Sequence, residues 1–239
     1  MENQQHPTPP EVQRIVIGKN GPYRVKAGIP LVRKTQIVSE HGEPLTWKLE
    51  ARLETAANYS LCRCGGSSNH PFCDGTHRAI GFDGTETADE RPTVKRQWTL
   101  PDGTHLVVRK DDSLCMLSGF CAMEDTDIVA LVAESEDTKA RSLAIAMVER
   151  CPSGALTYTI EPGEPDIEPD LPVAIADTTE ITSEGAIVGP LWVTGWVPIE
   201  RSDGKPLETR NRVTLCNCGQ SSNKPLCDGT HRDEARRLR

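Results

Sequence analysis

Cys62-Arg63-Cys64-Gly65-Gly66-Ser67-Ser68-Asn69-His70-Pro71-Phe72-Cys73-Asp74-Gly75-Thr76-His77 is a stretch that the chain uses twice. Its second copy is Cys216-Asn217-Cys218-Gly219-Gln220-Ser221-Ser222-Asn223-Lys224-Pro225-Leu226-Cys227-Asp228-Gly229-Thr230-His231. Both read C-x-C, eight residues, then C-D-G-T-H. Three thiols and one imidazole in so short a window have few uses besides gripping a soft metal centre. Length, spacing and most intervening residues agree, so this is an internal repeat that carries a ligand set.

Outward from the motif the correspondence continues. Gly21-Pro22-Tyr23-Arg24-Val25-Lys26-Ala27-Gly28-Ile29-Pro30-Leu31 returns as Gly189-Pro190-Leu191-Trp192-Val193-Thr194-Gly195-Trp196-Val197-Pro198-Ile199, and His41 to Leu45 is echoed by Asp203 to Leu207. These phrases, and Arg14 to Ile17 before them, are β-rich and punctuated by turn residues. The repeat is therefore a module with strands upstream and a ligand loop downstream, and the first copy has extra residues ahead of its motif. Asp74 and Asp228 stand where a helix N-cap would, which predicts a short helix with each histidine in its first turn. Capping is the main reading of these aspartates; orienting a ligand from outside is the other.

Between the modules, 81–100 is a polar connector and Leu106 to Val108 is strand-like. Ala140, Leu143, Ala144, Met147, Val148 and Cys151 follow a helical period that ends before Pro152, and Ala155 to Ile160 reads as a strand. Glu161 to Pro172 holds four prolines among acidic residues and reads as an extended linker. The expected organisation is a disordered tail over 1–14, a first module with connector over 15–100, a middle segment over 101–160, a linker over 161–186 and a second module over 187–239.

The bulk numbers suit that layout. The chain has 239 residues, of which 36% are hydrophobic and 4% aromatic, with 19 glycines and 18 prolines. Such a composition builds small, turn-rich units that recruit metals to compensate for thin cores. A formal net charge of −8 excludes general binding to nucleic acid, which needs clustered positive charge. No apolar run reaches a membrane-spanning length and the first fourteen residues lack a leader pattern, so a soluble, cytoplasmic protein without a membrane partner is expected. Nine cysteines in that setting are ligands before they are disulfides. Three belong to each motif, and Cys115, Cys121 and Cys151 lie between them. No nucleophile–base pair, phosphate loop or nicotinamide fingerprint is present, so the protein is not expected to be an enzyme.

On ligand types alone, a structural Cys₃His zinc site and an iron–sulfur cluster both remain open. The single residue between the first two thiols is shorter than ordinary zinc spacing and favours the cluster. The full pattern, C-x-C-x₂-S-x₃-P-x-C-D-G-[STA]-H, resembles the signature of the CDGSH iron–sulfur domain (mitoNEET-like) family over about 15–82 and 187–239. That resemblance implies a [2Fe–2S] cluster in each module. Cys62 and Cys64 would hold one iron, with Cys73 and His77 on the other; Cys216 and Cys218, then Cys227 and His231, would repeat this. It also implies an α+β fold in which two small β-rich modules pair about a pseudo-two-fold within one monomer. A neutral imidazole in place of a thiolate implies a raised potential, proton-coupled redox behaviour and acid lability.

Cys115-x₅-Cys121 with Cys151-Pro152 resembles the divergent mono-cluster ferredoxin segment found beside CDGSH modules, which implies a small ferredoxin-like α+β insert. Leu117 stands where a histidine commonly occurs in that pattern. Three thiolates suit [3Fe–4S], or [4Fe–4S] with one open iron; a cluster-free insert with buried cysteines is the alternative. The function implied is electron transfer with a redox partner protein. The alternative is a cluster carrier or redox/pH sensor that donates labile [2Fe–2S] to an apo-protein acceptor, and a zinc-stabilised interaction module is a third reading. His70 is replaced by Lys224 in the second copy and is expected at the surface, as are His41 and His105. Trp192 and Trp196 are expected to pack the second module's strands, and Arg232 to Arg239 to form a solvated helix end.

Overall fold

The computed structural model describes residues 12–233, so the expectations for the tail fall outside the described residues up to residue 11, and those for the C-terminal arginines from 234 onward. β1 (Arg14–Ile17) and β2 (Tyr23–Lys26) form a hairpin in which Ile15, Ile17, Tyr23 and Val25 are buried, the two-residue period of a half-buried strand. β3 (Leu31–Val38) and β4 (Pro44–Leu53) form a second hairpin, which accounts for the extra residues ahead of the first motif. β5 (Tyr59–Leu61) delivers the chain into that motif, and α1 (Thr76–Ala79) leaves it.

The middle segment comprises β6 (Trp98–Thr99), β7 (Val107–Lys110), α2 (Ile128–Ala133), α3 (Thr138–Arg150) and β8 (Leu156–Thr159). The helical period forms as expected. Ala140, Ala144, Met147 and Val148 are the buried face of α3, Asp137 caps it by accepting from Ala140 N–H at 2.8 Å, and it ends at Cys151 before Pro152. β9 (Ala174–Thr182), β10 (Gly185–Thr194), β11 (Ile199–Glu200) and β12 (Arg212–Leu215) complete the chain's strands.

The strands assemble as β11-β1-β2-β5, as β12-β10-β9-β3-β4, and as β6-β7-β8. The first two sheets share a plan. In one, β1, β2 and β5 carry β11 of the other half in parallel on β1, with Ile15 opposite Ile199. In the other, β9, β10 and β12 carry β3 in parallel on β9, with Leu31 opposite Ile175. Each half therefore lends its third strand to the sheet of the other. A single buried cluster runs through all three sheets, including Ile15, Tyr23, Leu61, Val108, Met147, Leu191 and Leu215. Arg212, fully buried on β12, fastens the middle segment by donating to the carbonyls of Val148, Glu149 and Leu156 at 2.8 to 3.2 Å. Two of those carbonyls belong to the last turn of α3, where Val148 O also accepts from Cys151 N–H at 3.1 Å.

Two expectations are corrected here. The linker expected over 161–186 is interrupted by β9, whose Asp177, Thr178 and Glu180 are buried although their composition reads as loop. Asp177 and Thr178 find partners across the sheet in Arg33 and Pro190 O, and Glu180 Oε2 finds His231 and Arg232 beyond it, which single-residue propensity cannot reveal. Trp192 packs as expected, 5.8 Å from the ring of Trp47, but Trp196 is 56% exposed in a left-handed turn at φ 59°. Among the described residues no helix is long and apolar enough to cross a membrane.

Candidate metal centres

Each ligand loop folds back along the strand that feeds it. Cys62 N–H donates to Pro71 O at 2.8 Å and Cys73 N–H to Ser60 O at 2.9 Å; Cys216 N–H donates to Pro225 O and Cys227 N–H to Thr214 O, both at 2.9 Å. Ser67 and Ser221 close the loops from inside through their hydroxyls, which donate to Phe72 O at 2.6 Å and Leu226 O at 2.7 Å. The first two thiols and the third thus meet across a short ladder.

The aspartates do a related job. Asp74 Oδ2 accepts from Ser68 N–H and hydroxyl at 2.9 Å, while Oδ1 accepts from Thr76 N–H at 3.0 Å. Asp228 makes the same three bonds with Ser222 and Thr230 at 2.7 to 3.0 Å. The bonds from Thr76 and Ser68 hold the Asp74 carboxyl well below the ordinary carboxylate range. The N-cap position itself is taken by Gly75 and Gly229, so the aspartates sit one residue earlier than expected. They still take the capping N–H, and they also pin the far side of the loop. α1 is one turn long, and its counterpart after the second motif is a single 3-10 turn, Thr230–Arg232.

The ligand atoms come together in pairs. Cys62 Sγ lies 3.8 Å from Cys64 Sγ, and Cys73 Sγ lies 3.4 Å from His77 Nδ1. In the second motif Cys216 and Cys218 are 3.6 Å apart, and Cys227 Sγ is 3.4 Å from His231 Nδ1. Two thiolates bound at about 2.3 Å to one tetrahedral metal stand about 3.8 Å apart, and a thiolate and an imidazole nitrogen about 3.5 Å. Each pair therefore has the separation of two ligands on one metal, and the nitrogen of each histidine that faces the thiol is Nδ1. Among the described residues no three cysteine, histidine or carboxylate side chains gather closely enough to hold a single metal ion. Burial pushes the Cys64 thiol up to about 11 and the Cys227 thiol well above its usual value, so a thiolate at either place needs a bound cation.

The two histidines differ outside the ring. His231 is 7% exposed, and its Nε2 lies 2.8 Å from Oε2 of Glu180, which is fully buried. Arg232 reaches the same carboxylate oxygen at 2.8 Å, so Arg232 is an ion-pair residue where a solvated one was expected. His77 is half-buried, and among the described residues its Nε2 has no hydrogen-bond partner. Sequence reasoning missed Glu180 because it lies in the stretch read as linker.

The three ligand regions touch. Cys64 and Cys218 pair as an antiparallel bridge. A Cβ on Gly65 would stand 2.5 Å from Cys218 O, and one on Gly219 would stand 2.6 Å from Cys64 O. Tyr23 of the first half donates its hydroxyl to Cys216 O at 2.7 Å. His70, expected at the surface, instead sits in this seam, with Nε2 3.2 Å from Asn217 Nδ2 and Nδ1 3.6 Å from Asp177. His41 and His105 are exposed, as expected. Cys64, Cys218 and His231 line one cavity of about 420 Å³ between the modules, with Ile80, Ile187 and Val188 at its rim.

Cys115, Cys121 and Cys151 are also brought together, around a largely apolar cavity of about 260 Å³ that Lys110, Met116 and Phe120 help to line. Burial raises the Cys121 thiol, and its neighbours Cys151 and Cys115 raise it further. Leu117 is 63% exposed and turns away in a left-handed conformation at φ 58°. The Cys115–Leu117 loop lies against the second motif, where a Cβ on Gly229 would stand 2.9 Å from Met116 O.

Comparison with known families matches this layout. The model described as iron-binding zinc finger, CDGSH type, matches residues 20–78 and again 188–232. The model described as divergent 4Fe-4S mono-cluster matches residues 102–161 between them. No curated protein matches the chain. With both ligand loops matched, and the three remaining cysteines inside the intervening match, the chain belongs to the CDGSH iron-binding family as a tandem member carrying a divergent 4Fe-4S mono-cluster segment between its two domains.

Proposed function

We propose that this is a non-enzymatic electron-transfer protein with a [2Fe–2S] cluster in each CDGSH loop and a third cluster on Cys115, Cys121 and Cys151. Cys62 and Cys64 hold one iron of the first cluster, and Cys73 with His77 Nδ1 holds the other. Cys216 and Cys218, then Cys227 with His231 Nδ1, do the same in the second. The close pairs at 3.4 to 3.8 Å, with no three donors gathered closely enough for one ion among the described residues, support two irons per loop over one zinc. The exchanged strands β3 and β11 support the pairing of the modules about a pseudo-two-fold within one monomer. Iron–sulfur clusters supply one-electron chemistry at potentials set by their ligands and surroundings.

The contact of the three ligand regions is the observation that carries this reading. The first loop touches the second at Cys64 and Cys218, and the second touches the middle segment at Gly229 and Met116. An electron carrier needs its centres in close series, whereas a simple store of clusters has no use for their abutment. In space the order is first, second, middle, although in sequence the middle segment lies between the two. The third cysteine and the histidine are buried in the second loop and partly exposed in the first, so the first is the more open to solvent. The partner is a redox protein met in aqueous solution, in the cytoplasm.

The test is anaerobic purification with iron, sulfide and zinc analysis and EPR before and after dithionite. About four iron and four sulfide per chain correspond to the two [2Fe–2S] centres alone. A clear excess with a signal in the oxidised protein identifies the middle centre as [3Fe–4S]. Zinc without sulfide overturns the redox reading.

A further inference from the structure

The two motifs are nearly identical in sequence, yet their surroundings are not. The difference begins in the hairpins that precede them. β1 and β2 are joined by a tight turn in which Gly18 N–H donates to Pro22 O and Gly21 N–H to Gly18 O, so neither strand extends past Ile17 or Tyr23. β9 and β10 run on to Thr182 and Gly185, and this extension carries Glu180 over the second histidine. The equivalent glycines report the outcome. A Cβ on Gly21 would meet His77 Nε2 at 3.7 Å, whereas one on Gly189 would meet Glu180 Cγ at 3.0 Å. Among the described residues a carboxylate is thus interposed in the second module and not in the first.

Cover over the loops follows the same division. The second loop is held by Thr87 and Ala88, whose N–H groups donate to Lys224 O at 2.8 and 2.9 Å, and by Thr87 Oγ1 on Ser222 O at 2.6 Å. Asn223 reaches Ser113 O at 2.6 Å, and Met116 closes on Gly229. At the first loop nothing lies within 4 Å of a Cβ placed on Gly75. Accordingly Cys227 and His231 are buried where their counterparts Cys73 and His77 are only partly so, whereas Cys62 and Cys216 are both buried and Cys64 and Cys218 both partly so.

We infer that Glu180 is a positioning residue that divides the labour of the two CDGSH centres: the second is firmly held and lower in potential, and the first, at His77, is the one that gives up its cluster. This rests on the [2Fe–2S] reading above. A metal on His231 Nδ1 leaves Nε2–H to donate to Glu180, which fixes the ring and strengthens it as a donor. A stronger donor in a buried site favours the oxidised cluster, because reduction adds negative charge in a medium of low dielectric. Arg232 on the same carboxylate oxygen moderates this effect without removing the hydrogen bond. Among the described residues His77 has no such anchor, and it is only partly buried. Transfer from the first centre to an apo-protein with four cysteines breaks three Fe–S(Cys) bonds and one Fe–N bond and forms four Fe–S bonds. The acceptor releases four protons, of which three return to Cys62, Cys64 and Cys73 and one goes to solvent; no electron moves.

The experiment uses the full chain in two single-centre forms at one fixed pH. C227S keeps the first CDGSH centre and C73S keeps the second. Transfer to an apo-ferredoxin is followed by visible circular dichroism, and potentials by EPR-monitored titration. We expect transfer from the first centre to be at least ten times faster, and its potential to be the higher. E180Q added to C73S should speed loss from the second centre by about 10–100-fold and raise its potential, while E180Q added to C227S leaves the first centre's potential in place. Failure of E180Q to load the second centre alone also supports the anchoring role. Equal rates and potentials in C73S and C227S would overturn the inference, as would an E180Q that moves neither quantity. Iron without sulfide in every form would instead overturn the [2Fe–2S] reading on which it rests.

Discussion

Alanine at Gly65 or Gly219 bears directly on the seam between the ligand loops. Both residues have positive φ, 75° and 78°, and a Cβ at either place would come within 2.6 Å of the carbonyl oxygen of the facing cysteine. The left-handed conformation costs a side-chain-bearing residue about 1–2 kcal/mol. Forcing a methyl into a packed contact adds about 1–3 kcal/mol. The total of about 2–5 kcal/mol corresponds to a fall in Tm on the order of 10 °C for a chain of this size. Gly204 is the control, since its φ is 84° and nothing lies within 4 Å of its Cβ position. G204A should lose only the conformational cost, about 1–2 kcal/mol, and keep full iron. G65A and G219A should lose more stability and lose iron and sulfide from both CDGSH centres, because the overlap displaces the ligand loop opposite as well as their own. Thermal unfolding with iron analysis on the three variants decides it. If G65A matches G204A in Tm and retains all its iron, the loops are not held in the contact described here.

Further outcomes are expected elsewhere. Cys151→Ser should abolish the EPR signal of the oxidised protein and leave about four iron and four sulfide per chain, read by EPR and metal analysis. Asp111→Ala should cost about 1.5–3 kcal/mol in a denaturant melt, since Asp111 is 2% exposed and its charged bond to Arg96, 2.9 Å away, is lost while Arg96 keeps Glu208 at 3.6 Å. All three tyrosines have phenols raised by burial, Tyr158 to about 12, with a hydrogen bond to Glu149 adding to the effect there. Their folded pKa values exceed the unfolded value of about 10, so this stabilisation is whole below pH 10 and is lost as pH climbs towards the folded values. Ultraviolet difference titration should therefore show no phenolate in the folded protein at pH 10 to 11, and early titration of even one tyrosine would contradict the burial described.

The ligand set was legible because it is local. Three thiols and an imidazole at fixed spacing, repeated with nearly the same filling, identify their chemistry without reference to anything distant in the chain. α3 was legible for the same reason, since its period and the proline after it are properties of one segment. β9 was not, because Asp177, Thr178 and Glu180 look like loop residues until groups distant in sequence supply partners for them. His70 likewise needed Asn217, 147 positions away, to become a seam residue. The exchange of β3 and β11 between halves is a matter of pairing at long range, and no window of sequence contains both partners. The chain alone determined that two equivalent metal-binding loops and a three-cysteine insert exist. Tertiary structure alone decided that the loops are unequal, because the longer β9–β10 hairpin brings a carboxylate to one histidine, while the tight turn at Gly18 to Gly21 brings none of the described residues' carboxylates to the other.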